Sequence, residues 1–142
     1  MTRGFLLDTN ILSEFMRPRP AEKVLAFMAA WDASRLYVTD VTLAELCFGA
    51  SLVDDPVRRS GILAAIDERI RPQFEGRTLS ADEATWLVWK RLEWQGRKRR
   101  YTHPQPDLVI AALASQHGLT VATRDTEPFR EAGVAVFNPW EG

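Results

Sequence analysis

The stretch RGFLLDTNILSEF, Arg3 to Phe15, decides how this chain is read. Phe5, Leu6 and Leu7 are consecutive apolar residues without alternation, the pattern of a short strand covered on both faces. Asp8 follows at once, with Thr9 and Asn10 behind it. A carboxylate at the end of an apolar strand either starts a helix or serves chemistry.

Two further runs read as central strands, RLYVT from Arg35 and LTVAT from Leu119, with weaker candidates RTL at Arg77 and VAVF from Val134. Helical patterns lie between them. PAEKVLAFMAAW repeats apolar residues at Val24, Phe27, Met28 and Trp31, a 3.6-residue period. PVRRSGILAAIDERI begins at Pro56, and Ser80 with Glu83 predicts a capping box opening a long helix to about Gln95. Pro106 and Gly118 bracket another, the usual start and stop residues. Strands alternating with helices predict an α/β fold, a mostly parallel sheet of four to five strands flanked by helices. Residues 1–142 are read as one domain, without repeats or a linker.

Composition narrows the function classes. No apolar run approaches the roughly 18 residues that a membrane span needs, and the first run ends after three residues, so neither an anchor nor a signal peptide is expected. Cys47 is the only cysteine, which excludes an internal disulfide and suits a reducing cytoplasm. Eighteen basic and nineteen acidic residues nearly cancel, so the placement of charge must decide about a nucleic-acid partner.

Ligands of a parallel α/β sheet bind beyond the carboxyl ends of its strands. Asp8 lies just past the first strand, and Asp125 lies two residues past Thr123, so both are expected at that edge; each also suits a turn or a helix cap. Glu45 sits in the apolar stripe of its own predicted helix, with Val41, Phe48 and Leu52 at −4, +3 and +7. The competing reading is a capping box of Thr42 with Glu45. Asp107 has Ile110, Ala111 and Ala114 on its face, and equally suits a first helical turn whose dipole favours a carboxylate. Crowding such groups is costly: two unit charges 4 Å apart repel by about 4 kcal/mol at an effective dielectric of 20. Protons or a cation must offset that. An all-oxygen donor set suits Mg²⁺ or Mn²⁺. Zinc would want His or Cys, and His103, His117 and Cys47 show no zinc spacing.

LLDTNILSE, VTLAELCFGA, PDLVIAALA and VATRDTEPF, in this order, resemble the four motifs of PIN-domain ribonucleases, specifically the VapC/FitB-type toxins of toxin–antitoxin pairs. VFNPW near the end resembles the FitB-like branch. The resemblance spans nearly the whole chain and implies a PIN-like fold. It places the family's acidic cluster on Asp8, Glu45, Asp107 and Asp125, with Asn10 and Thr123 as supporting polar residues. It implies Mg²⁺ or Mn²⁺ as cofactor and RNA as substrate, with a homodimer and a cognate antitoxin as partners; DNA binding would belong to the antitoxin.

From residue types, a metal-activated water is the expected nucleophile, leaving 5′-phosphate and 3′-hydroxyl ends. No histidine pair is placed to support attack by the ribose 2′-hydroxyl. GRKRR, Gly96 to Arg100, is the densest basic run, and Arg97, Lys98, Arg99 and Arg100 are the candidate RNA contacts. The same run also suits a solvated helix end. In the long helix, Ala84, Leu87, Val88, Leu92 and Gln95 form one stripe, with Trp86 and Trp89 on roughly the opposite side, which predicts a second buried face, either at a subunit or partner surface or packed within the monomer. Cys47 beside Phe48 reads as a small core residue. One rival is an aspartyl-nucleophile phosphotransferase built on Asp8, but Asn10 stands where a second acid is wanted and no lysine lies near a strand end. The other is a catalytically silent PIN domain that only binds partners.

Overall fold

The computed structural model describes residues 2–142. Five parallel strands form the sheet: β1 (Phe5–Leu7), β2 (Leu36–Thr39), β3 (Thr78–Leu79), β4 (Thr120–Ala122) and β5 (Val136–Phe137), in the order β3-β2-β1-β4-β5. All five strand candidates of the sequence are present, and the sheet is wholly rather than mostly parallel. Between the strands lie α1 (Thr9–Phe15), α2 (Glu22–Ala30), α3 (Asp40–Ser51) and α4 (Pro56–Ala65), which runs through a π-helical turn (Ile66–Ile70) into α5 (Arg71–Gln73). After β3 come α6 (Glu83–Lys98), α7 (Asp107–His117) and, past β4, α8 (Glu127–Glu131).

The side-chain alternation of β1 divides the core. Phe5 and Leu7 face one layer with Ile11, Leu12, Val24, Phe27, Val38 and Ile66, where Phe5 meets Phe27 and Trp31 edge-on at 4.9 and 4.7 Å. Leu6 faces the other layer with Ile110, Leu113, Val121 and Phe129. Each is sealed from solvent, as the unalternating run required.

Several local expectations are corrected. The cap of α6 is Asp82, not Ser80: the Asp82 carboxylate accepts from the Thr85 N–H while the Thr85 hydroxyl takes the Asp82 N–H, so Thr85 fills the place expected of Glu83. The helix continues to Lys98, beyond Gln95. Its inward face is Thr85, Trp89, Leu92 and Gly96, whereas Leu87 is exposed together with Trp86 and Trp94. In α3 the cap is Thr39, whose hydroxyl accepts from the Thr42 N–H, which removes the capping-box reading of Glu45. Phe48 and Leu52 are 66% and 65% exposed, so the later part of the apolar stripe containing Glu45 faces outward, while Val41 packs on the second core layer and Leu43, Leu46 and Ala50 are buried. Cys47 is only half-buried, its thiol 3.3 Å from an Arg71 nitrogen. Among the described residues no helix is long and apolar enough to cross a membrane.

Candidate active site

The carboxyl edge of β1 and β4 organises the site. Register pairs Leu7 with Ala122, and the Asp8 N–H continues the ladder to the Ala122 carbonyl at 3.0 Å, which sets Asp8 beside Thr123. Asp8 is 7% exposed and Thr123 is sealed. One Asp8 oxygen accepts from the Thr9 N–H and the other from the Thr123 hydroxyl, both at 2.8 Å. Asp8 therefore stands at the helix cap and presents a carboxylate to the cavity; the two readings of its role coexist.

Thr123 is a junction. Its hydroxyl, donating to Asp8, accepts from the Asn10 amide and from the Asp125 N–H, both at 3.1 Å. Asn10 in turn accepts from the Arg124 N–H at 3.3 Å. The two polar residues singled out in the sequence thus hold the loop after β4 against the start of α1. Asp125 is exposed, and its first contact to the cluster is through its backbone. Glu45 arrives from the second turn of α3, where the Thr9 hydroxyl donates to its Oε1 at 2.8 Å. Asp107 is the first residue of α7. That helix hands over to β4 through Gly118, in the left-handed conformation with φ of 66°, so its amino end lies at the carboxyl edge of the sheet.

All four acids line one cavity of about 540 Å³. Their mutual influence is electrostatic as well as spatial. Burial pushes the Asp107 carboxyl up to about 6, with Asp8, Asp125 and Glu45 adding like-charge repulsion. Burial also raises Asp8, opposed by the hydrogen bonds from Thr123 and Thr9 and reinforced by Glu45 and Asp125. Among the described residues no three of these groups stand close enough to hold an ion by protein ligands alone. The donor set nevertheless fits a hard divalent cation, since Mg²⁺ takes one or two carboxylates directly and keeps several waters. The histidines do not compete: His103 is buried against Gly96, and His117 lies in the last turn of α7, at the far edge.

The cavity also contains residues the sequence reading passed over. Thr9 is one, although it stands inside the quoted motif. Glu14, 5% exposed, accepts the Ala21 N–H at 2.8 Å and pairs with Arg17 at 3.4 Å, bracing the turn from α1 to α2. Its signal was its position three residues after buried Ile11, on the inward side of α1. Arg17, Arg124 and Trp140 complete the rim. The basic run lies elsewhere: none of Arg97, Lys98, Arg99 and Arg100 lines the cavity, and Arg99 is engaged by Glu131 at 2.7 Å. A separate apolar cleft of about 470 Å³ is bounded by Leu12, Phe15, Met28, Ile62 and Phe74.

Comparison with known proteins agrees with this fold. The family model described as PIN domain matches residues 5–135. Toxin FitB of Neisseria gonorrhoeae is 38% identical over 135 residues, covering 95% of this chain and 97% of its own. VapC ribonuclease Y4jK of Sinorhizobium fredii is 36% identical, with 96% of this chain and 97% of its own covered. The crystal structure of FitAcB from Neisseria gonorrhoeae superposes with a TM-score of 0.92 at 38% identity, covering 97% of this chain and 99% of that one. The chain belongs to the PIN domain family.

Proposed function

We propose that this protein is a divalent-metal-dependent endoribonuclease and the toxin of a toxin–antitoxin pair. The observation that carries the reading is the meeting of Asp8, Glu45, Asp107 and Asp125 in one cavity at the carboxyl edge of a parallel sheet. Similarity to proteins named Toxin FitB and VapC ribonuclease supports the activity, and similarity to the FitAcB structure supports a partnered toxin. No membrane partner is proposed, and the lone half-buried thiol suits a reducing cytoplasm.

Mg²⁺ or Mn²⁺ would be held at the four acids, one or two of them directly and the others through its waters, and when bound it would supply a water of lowered pKa and positive charge against the phosphate. The chain's own residues prepare that site. Thr123 and the Thr9 N–H fix both oxygens of Asp8, so the carboxylate is oriented before any ligand arrives. The Thr9 hydroxyl holds one oxygen of Glu45 and leaves the other available. Asp107, raised to about 6 by burial and by its acidic neighbours, is the group whose protonation neutral pH tunes most readily. Asn10 locks the Arg124–Asp125 loop over the cavity mouth. For the partners, a second copy of this chain and an antitoxin, the exposed groups Phe48–Leu52–Val57 and Trp86–Leu87–Trp94 and the apolar cleft are the available surfaces.

The test is cleavage of RNA with Mg²⁺ or Mn²⁺ by wild type, Asp8→Asn and Asp107→Asn, with the product ends sequenced. Cleavage by wild type alone, leaving 5′-phosphates, is expected. Equal cleavage by all three chains, or 2′,3′-cyclic phosphate ends, overturns the mechanism; cleavage by none favours a silent binding domain.

A further inference from the structure

Arg124 stands between Thr123, which holds Asp8, and Asp125, at the end of β4, and it lines the rim of the acid cavity. Its backbone is clamped on both sides. The N–H donates to Asn10 Oδ1 at 3.3 Å, and the carbonyl accepts from Asn138 Nδ2 at 3.5 Å. Its guanidinium lies over the Trp140 ring, 5.1 Å from the centroid. Trp140 is itself anchored, its N–H donating to Asn138 Oδ1 at 2.9 Å.

Among the described residues this cation pairs with no carboxylate, although four acids line the same cavity. Arg17, the other arginine on the rim, is paired with Glu14. Stacking occupies the face of a guanidinium and leaves its in-plane N–H donors for an anion, with less rotamer freedom to lose on binding. A fixed, unpaired arginine beside an acidic centre answers a physical need, because the acids alone would repel a polyanion.

Resting on the ribonuclease reading above, we propose that Arg124, stacked on Trp140, is a positioning residue that takes a backbone phosphate of the RNA strand beside the bond to be cut. Trp140 sets the arginine's direction rather than touching the RNA. The pair gives RNA a cationic contact at the cavity itself, which the basic run does not line.

The experiment is fluorescence anisotropy of a labelled 20-nucleotide single-stranded RNA in EDTA, which reads binding without turnover, over a series of salt concentrations. Arg124→Ala is expected to weaken binding about fivefold and to lower the slope of log K against log salt by about 0.7, one phosphate contact on a single strand. Arg124→Lys should keep the slope. Trp140→Leu should keep the slope while weakening binding about threefold, the stacking contribution of an exposed cation. Arg3→Ala, beside Gly118 at the opposite edge, should leave both unchanged and so shows that the effect belongs to the site. If wild type binds RNA and Arg124→Ala binds with the same slope and affinity, this proposal is overturned while the ribonuclease reading stands. If wild type binds no RNA in EDTA, this proposal is overturned, while the ribonuclease reading is decided by the cleavage assay with Mg²⁺ or Mn²⁺.

Discussion

Replacing Asp107 by asparagine probes the electrostatics of the cavity without requiring catalysis. Burial and three acidic neighbours raise this carboxyl from 3.8 to about 6 in the folded chain. A shift of about two units corresponds to about 3 kcal/mol of destabilisation once the group is ionised. The side chain is only half-buried, so solvent screening reduces this to about 1.5 kcal/mol. Against it, a carboxylate in the first turn of α7 gains about 0.5 kcal/mol from the helix dipole, which asparagine forfeits. Repulsion wins. At pH 8 in EDTA, Asp107→Asn should be more stable than wild type by about 1 kcal/mol, or about 3 °C in Tm. Because the folded chain binds the proton more tightly than the unfolded one, wild type recovers stability as pH falls from about 6 towards 3.8, and the difference should close by pH 4. With Mg²⁺ at a hundred times its Kd the order should reverse, since ligand binding adds about 2.7 kcal/mol to a chain that retains the site. Urea denaturation followed by tryptophan fluorescence measures all three conditions. An asparagine variant less stable than wild type at pH 8 in EDTA, or a difference indifferent to pH, would refute the reasoning.

Thr123→Val removes the donor to Asp8 and the acceptor for Asn10 and for the Asp125 N–H. It should cost about 2 kcal/mol where Asp8 carries its charge and less as falling pH protonates that carboxyl, whose pKa burial raises, read by the same denaturation. Gly96→Ala would set a methyl 2.8 Å from the His103 ring and 2.9 Å from the Tyr101 carbonyl. Overpacking of about 1–3 kcal/mol should outweigh the roughly 1 kcal/mol that alanine gains over glycine in a helix, giving a lower Tm. Leu6→Ala, in a fully sealed position of β1, should lose about 3 kcal/mol with RNA-binding slope unchanged in the fraction that remains folded.

The strands were legible because parallel strands buried on both faces carry a signal that survives without tertiary context: Phe5, Leu6 and Leu7 serve two cores at once. The acids were legible at strand ends and in the family's motifs. What surrounds them was not. The Thr9–Glu45 hydrogen bond joins residues 36 apart, and only folding reveals it. Helical periodicity groups Glu45 with Phe48 and Leu52 but says nothing about what covers each of them, and here Glu45 meets Thr9 while Phe48 and Leu52 stay exposed. The same blindness shifted the face of α6, where Leu92 stays inward but Leu87 gives way to Trp89, and buried Thr85 and Gly96 mark the inward side through a cap and a close approach rather than through hydrophobicity. Arg124 carried no signal in a local reading, since its meaning depends on Trp140, sixteen positions later and one strand away.

Joint binding of a divalent ion by these acids is what turns the cavity into a catalytic site. Titrating wild type and Asp8→Asn with Mn²⁺, with free ion followed by electron paramagnetic resonance, measures that alone. Saturable Mn²⁺ uptake by wild type and its loss in Asp8→Asn is the predicted outcome; equal uptake by both chains, or none by wild type, would contradict it.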